Sequence, residues 1–184
     1  MRKLRVLDFD IENRPLSYLG QDYTTAEVTA IAACYVDDRQ SMRVWLLGRD
    51  RAEAMLEEFR DMYDTADLVT GHYIRKHDLP ILNGAMLEVG RANLEEKLTS
   101  DTKLDLVSHG HVISASQENL AETLGVTKPK VHMNTPRWRE ANRLTPRGLE
   151  LTAKRVMGDV LQHMALRREL LKRNLLGAPK VWRP

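Results

Sequence analysis

Leu7-Asp8-Phe9-Asp10-Ile11-Glu12 alternates apolar and acidic residues, and an extended chain turns successive side chains to opposite faces. Read as a strand, the stretch places Leu7, Phe9 and Ile11 on one face and Asp8, Asp10 and Glu12 on the other. Like charges so close repel. The acidic face is either solvated at an edge or offset by something positive, for which a divalent cation with hard oxygen ligands is suited. The remainder of the chain has to decide between these readings.

Working outward, Arg14 to Glu27 is polar, contains Pro15 and Gly20, and reads as a loop. Val28 to Val36 is an apolar run suited to a buried strand, and Ser41 to Leu47 alternates well enough to pair with it across Asp37-Asp38-Arg39-Gln40. These segments predict an antiparallel meander of three strands. Arg49 to Asp64 spaces Ala54, Leu56, Phe59 and Met62 as an amphipathic helix. Asp67 to Gly71 is then a short strand expected beside the first, and Leu79 to Val89 is helical. Lys103-Leu104-Asp105-Leu106 is a further strand candidate. Ser114-x-x-Gln117 has the form of a capping box and Gly125 a helix stop, which predicts a helix over 114–124. Thr145-Pro146 pairs an N-cap residue with proline at the first helical position, opening a helix expected to run to about Asn174. Strands followed by alternating strands and helices predict an α/β fold with a mixed sheet covered by helices.

With 184 residues, the chain is within the range of one domain, expected over 1–174 with a C-terminal tail at 175–184. The lone Cys34 has no intrachain partner and sits in an apolar run, which fits a packing role in a reducing compartment. No charged-then-apolar leader and no membrane-length apolar stretch is present in this sequence, so the expected location is the cytoplasm, with no membrane partner.

A net charge of +2 says little, but its distribution is uneven. Lys128, Lys130, Arg137, Arg139, Arg143, Arg147, Lys154 and Arg155 crowd one segment against only Glu140 and Glu150. A phosphate backbone would suit that segment, and a basic solvated surface is the plain alternative. Trp138 among these arginines suits base stacking or core packing equally. The His109-x-His111 pair lacks further local ligands for zinc.

Two more acids stand out. Asp78 opens a helix just after a strand, where an acid is also an ordinary partner of the helix N-terminus. Asp159 falls mid-helix after Gly158, and a 100° periodicity puts it on the face of Thr152, Val156, His163, Leu166 and Leu170, away from Lys154, Arg168 and Lys172. A carboxylate on a packed face is costly unless it is paired, hydrogen-bonded or bound to metal.

The order and setting of these acids resemble the DEDD-type (DnaQ-like) 3′–5′ exonucleases of the ribonuclease H-like superfamily. Asp10-Ile11-Glu12 matches the first motif, Gly71-His72 with Asp78-Leu79-Pro80 the second, and Asp159 on the last helix the third. Asp101-Thr102-Lys103 and 116–125 look like the family's intervening strand and helix, so the likeness spans nearly the whole chain. It implies a ribonuclease H-like mixed sheet and two Mg²⁺ or Mn²⁺ ions roughly 4 Å apart. In that analogy Asp10 bridges both ions, Glu12 and Asp159 hold the one that activates water, and Asp78 supports the second. Asp8 has no place in the pattern and reads as peripheral.

The chain also departs from the family. A tyrosine four residues or a histidine five residues before the last aspartate usually orients or deprotonates the attacking water, and here those positions are Arg155 and Lys154. His163, one turn beyond Asp159, is a relocated candidate for the base, although a packed or hydrogen-bonded histidine fits the same position, and Lys154 is a second candidate because a desolvated lysine can be tuned towards that role. Tyr73 stands where the family favours asparagine, and His77 where it favours an aromatic such as phenylalanine. The expected activity is metal-dependent removal of nucleotides from a 3′ end, DNA favoured over RNA, with Arg137, Trp138, Arg139, Arg143, Arg147 and Arg155 as candidate nucleic-acid contacts. The alternatives are a structure-specific endonuclease on the same scaffold and a catalytically degenerate nucleic-acid-binding protein.

Overall fold

A computed structural model describes residues 3–15, 26–106, 114–126 and 131–184. Six strands and five helices follow one another as β1 (Val6–Pro15), β2 (Ala26–Tyr35), β3 (Asp38–Leu46), α1 (Ala52–Thr65), β4 (Leu68–Gly71), α2 (Asp78–Glu88), β5 (Lys97–Asp101), α3 (Gln117–Thr123), α4 (Thr135–Asn142), α5 (Pro146–Lys172) and β6 (Lys180–Trp182). The sheet order is β3-β2-β1-β4-β5-β6. The first three strands are the expected antiparallel meander, β4 and β5 add in parallel, and β6 closes the edge antiparallel to β5. This mixed α/β arrangement agrees with the ribonuclease H-like fold.

The alternation in β1 divides the molecule into layers. Leu7, Phe9 and Ile11 join Ile31 and Ala33 of β2 beneath Met55, Leu56 and Phe59 of α1 and Leu79 and Leu82 of α2. Phe9 and Phe59 meet as a tilted aromatic pair with centroids 5.1 Å apart. On the opposite face Ala30, Ala32 and Cys34 pack against Val156, Val160 and Met164 of α5. Small residues on β2 let α5 approach the sheet closely, and the acidic face of β1 is thereby turned towards this helix and away from open solvent. Cys34 is buried, as its apolar neighbourhood predicts.

Helix boundaries follow the capping chemistry, with one revision. Thr145 Oγ1 accepts from the Gly148 N–H at 3.0 Å and starts α5 where the Thr-Pro pair indicated. For α3 the cap is Ser116, which accepts from the Asn119 N–H at 3.2 Å, and not Ser114. Gln117 is the reason: its side chain turns inward to donate to the Asp159 carbonyl at 3.0 Å, so it forms no box with Ser114.

Two further expectations are corrected. Lys103 to Leu106 is not a strand, because Asp101 ends β5 and its Oδ1 accepts the N–H groups of Lys103 and Leu104, both at 3.0 Å, curling the chain into a turn. The segment read as a C-terminal tail is not a mere appendage. It supplies β6, whose Trp182 is buried in the larger core. His109, His111, Lys128 and Lys130 lie outside the described residues, as does most of the loop after β1.

Candidate metal centre

Oxygen ligands from Asp10, Glu12 and Asp159 lie within 4.8 Å of one another, the grouping being drawn among the described residues. Asp78 joins them in lining a cavity of about 290 Å³, together with Ile11, His72, Tyr73, His77, Lys103, Ser116, Gln117 and Arg155. Four elements converge here: β1 supplies the first pair of acids, α2 the third, α5 the fourth, and the start of α3 forms part of the wall.

Each acid is held by its local structure. Beside Glu12 the pairing of β1 with β2 shifts register, with Thr29 the extra residue, and Thr29 Oγ1 donates to the Glu12 carbonyl at 3.1 Å. Such a bulge re-aims side chains at the end of a paired strand. Asp78 is the first residue of α2, with His77 at the N-cap position. The Asp78 N–H and the Ile11 N–H hydrogen-bond to its carboxylate, and His77 Nδ1 lies 3.3 Å from its Oδ2. That contact raises the His77 pKa. Asp159 is buried on the packed face of α5, as the helical periodicity indicated.

The electrostatics are those of a site short of positive charge. The Asp10 carboxyl is pushed well up from the ordinary carboxylate value, first by burial and then by the charges of Asp78, Asp159 and Glu12, with Arg155 the opposing influence. Asp78 is raised as well, burial outweighing the His77 contact and the two backbone N–H groups. Hard, crowded carboxylate oxygens around a cavity are the donor set that Mg²⁺ or Mn²⁺ takes, and the residues present fit such an ion.

Arg155 is a cation in direct contact with two of them. Its Nε lies 2.7 Å from Asp159 Oδ2 and 3.1 Å from Glu12 Oε1, and its Nη1 donates to the Val131 carbonyl at 2.9 Å. Lys154, one residue earlier, is exposed and lines no part of the cavity. His163 also stays outside the cavity wall, although it shares the Asp159 face. One of its ring nitrogens is 2.7 Å from Asp8 Oδ2 and the other 2.8 Å from Thr102 Oγ1. Thr102 Oγ1 is in turn 3.0 Å from His72 Nδ1, and His72 does line the cavity. Asp8 is therefore fully buried in this chain of polar contacts, which the strand pattern alone did not indicate.

Asp101 is a second residue whose role the motif reading missed. Its Oδ1 accepts from the Tyr73 N–H at 3.0 Å and its Oδ2 from the Arg75 N–H at 3.1 Å, in addition to the turn it caps. It thus ties the segment leading to Asp78 to the end of β5. Tyr73 has φ 72°, a left-handed conformation that asparagine tolerates better. The sequence signal at this position was the likeness of Asp101-Thr102-Lys103 to the family's intervening strand, which says nothing of a clamp.

The basic residues lie mainly on α4 and the start of α5. Arg137, Arg139, Arg143 and Arg147 are exposed, and Trp138 is half-buried. Arg14, at the end of β1, donates to the Asn142 carbonyl at 2.5 Å and so joins the end of α4 to the strand carrying Asp10. Among the described residues of this basic segment, Arg155 lines the cavity and Arg137, Arg139, Arg143, Arg147 and Lys154 do not.

Fold and site together define a mixed α/β sheet protein with a carboxylate cluster where its central strand faces the middle of its last helix. Among solved structures it is similar to a family B DNA polymerase from the hyperthermophilic archaeon Pyrobaculum calidifontis, with a TM-score of 0.64 and 20% identity. The match covers 92% of this chain and 25% of the polymerase chain, so the chain spans about a quarter of that protein's length. No family model matches the sequence, and no curated protein does.

Proposed function

We propose that this protein is a metal-dependent 3′–5′ exonuclease that hydrolyses nucleic-acid phosphodiesters with two divalent ions. The observation that carries the reading is the meeting of Asp10, Glu12 and Asp159 within ligand distance of one another, with Asp78 lining the same cavity. Acids separated by nearly the whole sequence have no structural need to converge, and burial, followed by their mutual repulsion, raises the pKa of Asp10. The similarity in fold to a DNA polymerase chain supports a nucleic-acid substrate, with DNA favoured over RNA. We read the chain as a single nuclease domain acting in the cytoplasm, with β6 part of its sheet and Trp182 part of its core.

Asp10, Glu12 and Asp159 would hold Mg²⁺ or Mn²⁺, with Asp78 supporting the second position. Bound ions would supply a nucleophilic hydroxide at neutral pH and stabilise the leaving oxygen. Lys154 and His163 do not enter this scheme as bases, since one is exposed and the other has both ring nitrogens engaged. Lys103, Tyr73 and His77 line the cavity wall and are placed to contact substrate. The exposed arginines of α4 and Trp138 would meet the strand beyond the site.

A second reading, a nucleic-acid-binding protein with little turnover, is favoured by the contact of Arg155 with two of the four acids. End-labelled linear and circular single strands, incubated with Mg²⁺ or Mn²⁺, separate the possibilities. An exonuclease gives a ladder from the 3′ end, an endonuclease on the same scaffold cuts circles, and a binding protein retards the strands intact. Asp10→Ala and Asp159→Ala are expected to lose at least a hundredfold in rate. Full metal-dependent activity in either variant would show that the site is elsewhere.

A further inference from the structure

Arg155 stands at a position where the resembling family carries a tyrosine, and its placement gives it a different task. The Nε–H group lies between Glu12 Oε1 and Asp159 Oδ2, at 3.1 and 2.7 Å. The three side chains are 17%, 13% and 5% exposed, so the contact is largely withdrawn from water. Burying several acids together is tolerable only with a positive partner. Arg155 is the partner that α5 brings to them, one helical turn before Asp159.

The same two carboxylates belong to the set that could hold an ion. An ion held by Glu12 and Asp159 would compete with the Nε–H group for the Oε1 and Oδ2 oxygens it now contacts. Magnesium needs its oxygens at about 2.1 Å, which leaves no room for an intervening N–H. Repulsion between a guanidinium and a divalent ion in contact adds to the exclusion in a poorly solvated site. The Nη1 bond to the Val131 carbonyl lies outside the carboxylate set and need not be given up.

We propose that Arg155 is an internal counter-cation that holds the Glu12 and Asp159 side of the site and must be displaced for a divalent ion to bind there. The inference rests on the metal reading of the preceding subsection. It assigns Arg155 control of metal affinity: the acids remain paired without metal, and binding is weaker by whatever the pairing contributes.

The test measures Mn²⁺ binding to the full chain by calorimetric titration. Arg155→Gln removes the charge, and is expected to bind its first ion at least tenfold more tightly than wild type while melting at a lower temperature in chelator. Equal or weaker binding by a folded Arg155→Gln protein overturns the proposal. A measurement on the wild type removes dependence on that variant's folding. In a Mg²⁺ titration followed by NMR of arginine Nε–H groups, with Arg155→Lys providing the assignment, the Arg155 signal should shift and exchange faster with water as the ion binds. An unchanged signal at saturation also overturns the proposal. Absence of Mn²⁺ binding by either protein removes both this inference and the metal reading. Tighter binding by Arg155→Gln with no cleavage by either protein supports the counter-cation and removes the nuclease reading alone.

Discussion

Asp10 carries the main electrostatic conflict of the molecule. Burial comes first and the charges of Asp78, Asp159 and Glu12 follow, all raising its pKa. Such an acid binds a proton more readily folded than unfolded, so its contribution to stability is greatest at low pH. That contribution is lost as pH rises from the ordinary 3.8 through the raised value. Asp10→Asn is therefore expected to stabilise the metal-free protein at pH 7 by about 1 kcal/mol, while abolishing metal-dependent cleavage. The gain should shrink towards pH 4; urea unfolding in chelator at several pH values measures it. His72 acts in the opposite sense. Burial, and then the charge of His163, lower its pKa from 6.5 to about 4, with Asp101 and the Ala115 backbone pulling the other way and Lys103 adding to the lowering. A histidine kept neutral in the fold contributes fully above 6.5, and the contribution is lost as pH falls towards 4. Because Asp8, Asp10 and Asp78 titrate in the contrary direction, the informative quantity is the difference between wild type and His72→Asn. Wild type should lose up to about 3 kcal/mol relative to that variant between pH 6.5 and 4. At this scale the four motif acids were readable because each sits in a local context of strand or helix. The environment of Asp8 was not, because its partner His163 is 155 positions away and nothing local marks the pair.

Among elements, the segment between β4 and α2 decides where Asp78 points. Gly71 begins it, and a β-carbon there would lie 2.8 Å from the Phe9 carbonyl, next to Asp10 in the chain. The backbones of β1 and β4 can approach this closely only with glycine at that position. Beyond it Tyr73 takes a left-handed conformation, and Lys103 Nζ covers its ring at 3.9 Å. Asp101 fixes this geometry, accepting from Tyr73 and Arg75 on one side and from Lys103 and Leu104 on the other. Asparagine offers one acceptor oxygen in place of two, and its amide would face an N–H that the carboxylate now satisfies. Asp101→Asn should cost about 2 to 3 kcal/mol, together with faster amide exchange at Tyr73 and Arg75 and weaker Mn²⁺ binding. Unaltered exchange at both amides would show that the segment is held some other way. The strands and helices with clear periodicity were legible in sequence: the alternation of β1, the amphipathic α1 and the Thr-Pro start of α5. The turn after β5 was not, because Lys103-Leu104-Asp105-Leu106 has a strand-like pattern whose backbone hydrogen bonds are taken by the Asp101 side chain.

For the whole molecule, the edge strand β6 couples the end of the sheet to the candidate site. Thr99 Oγ1 donates to the Lys180 carbonyl at 2.7 Å, and the Gly177 N–H to the Asp105 carbonyl at 2.8 Å. Asp105 also meets Lys180 Nζ at 3.2 Å and Arg75 at 2.5 Å, and its Oδ2 accepts from the Asp101 N–H at 2.9 Å. Contacts therefore run from β6 through Asp105 to Asp101 and on to the segment before Asp78. Composition hid this: 175–184 is short, contains two prolines and has little alternation, so only the exposed edge of β5 explains why Lys180–Trp182 becomes a strand. Trp182→Ala opens a gap in the larger core and should destabilise by about 3 kcal/mol. Removing residues 175–184 should cost at least as much and also leave β5 as an unpaired edge, which favours association between chains. Amide exchange separates packing from coupling. If Asp105 transmits order to the site, the truncated chain will exchange faster at Tyr73 and Arg75 than Trp182→Ala, which leaves the Gly177 and Lys180 contacts with Asp105 intact. Equal exchange in the two proteins would make β6 a support for the core alone, with the geometry around Asp78 set entirely by Asp101.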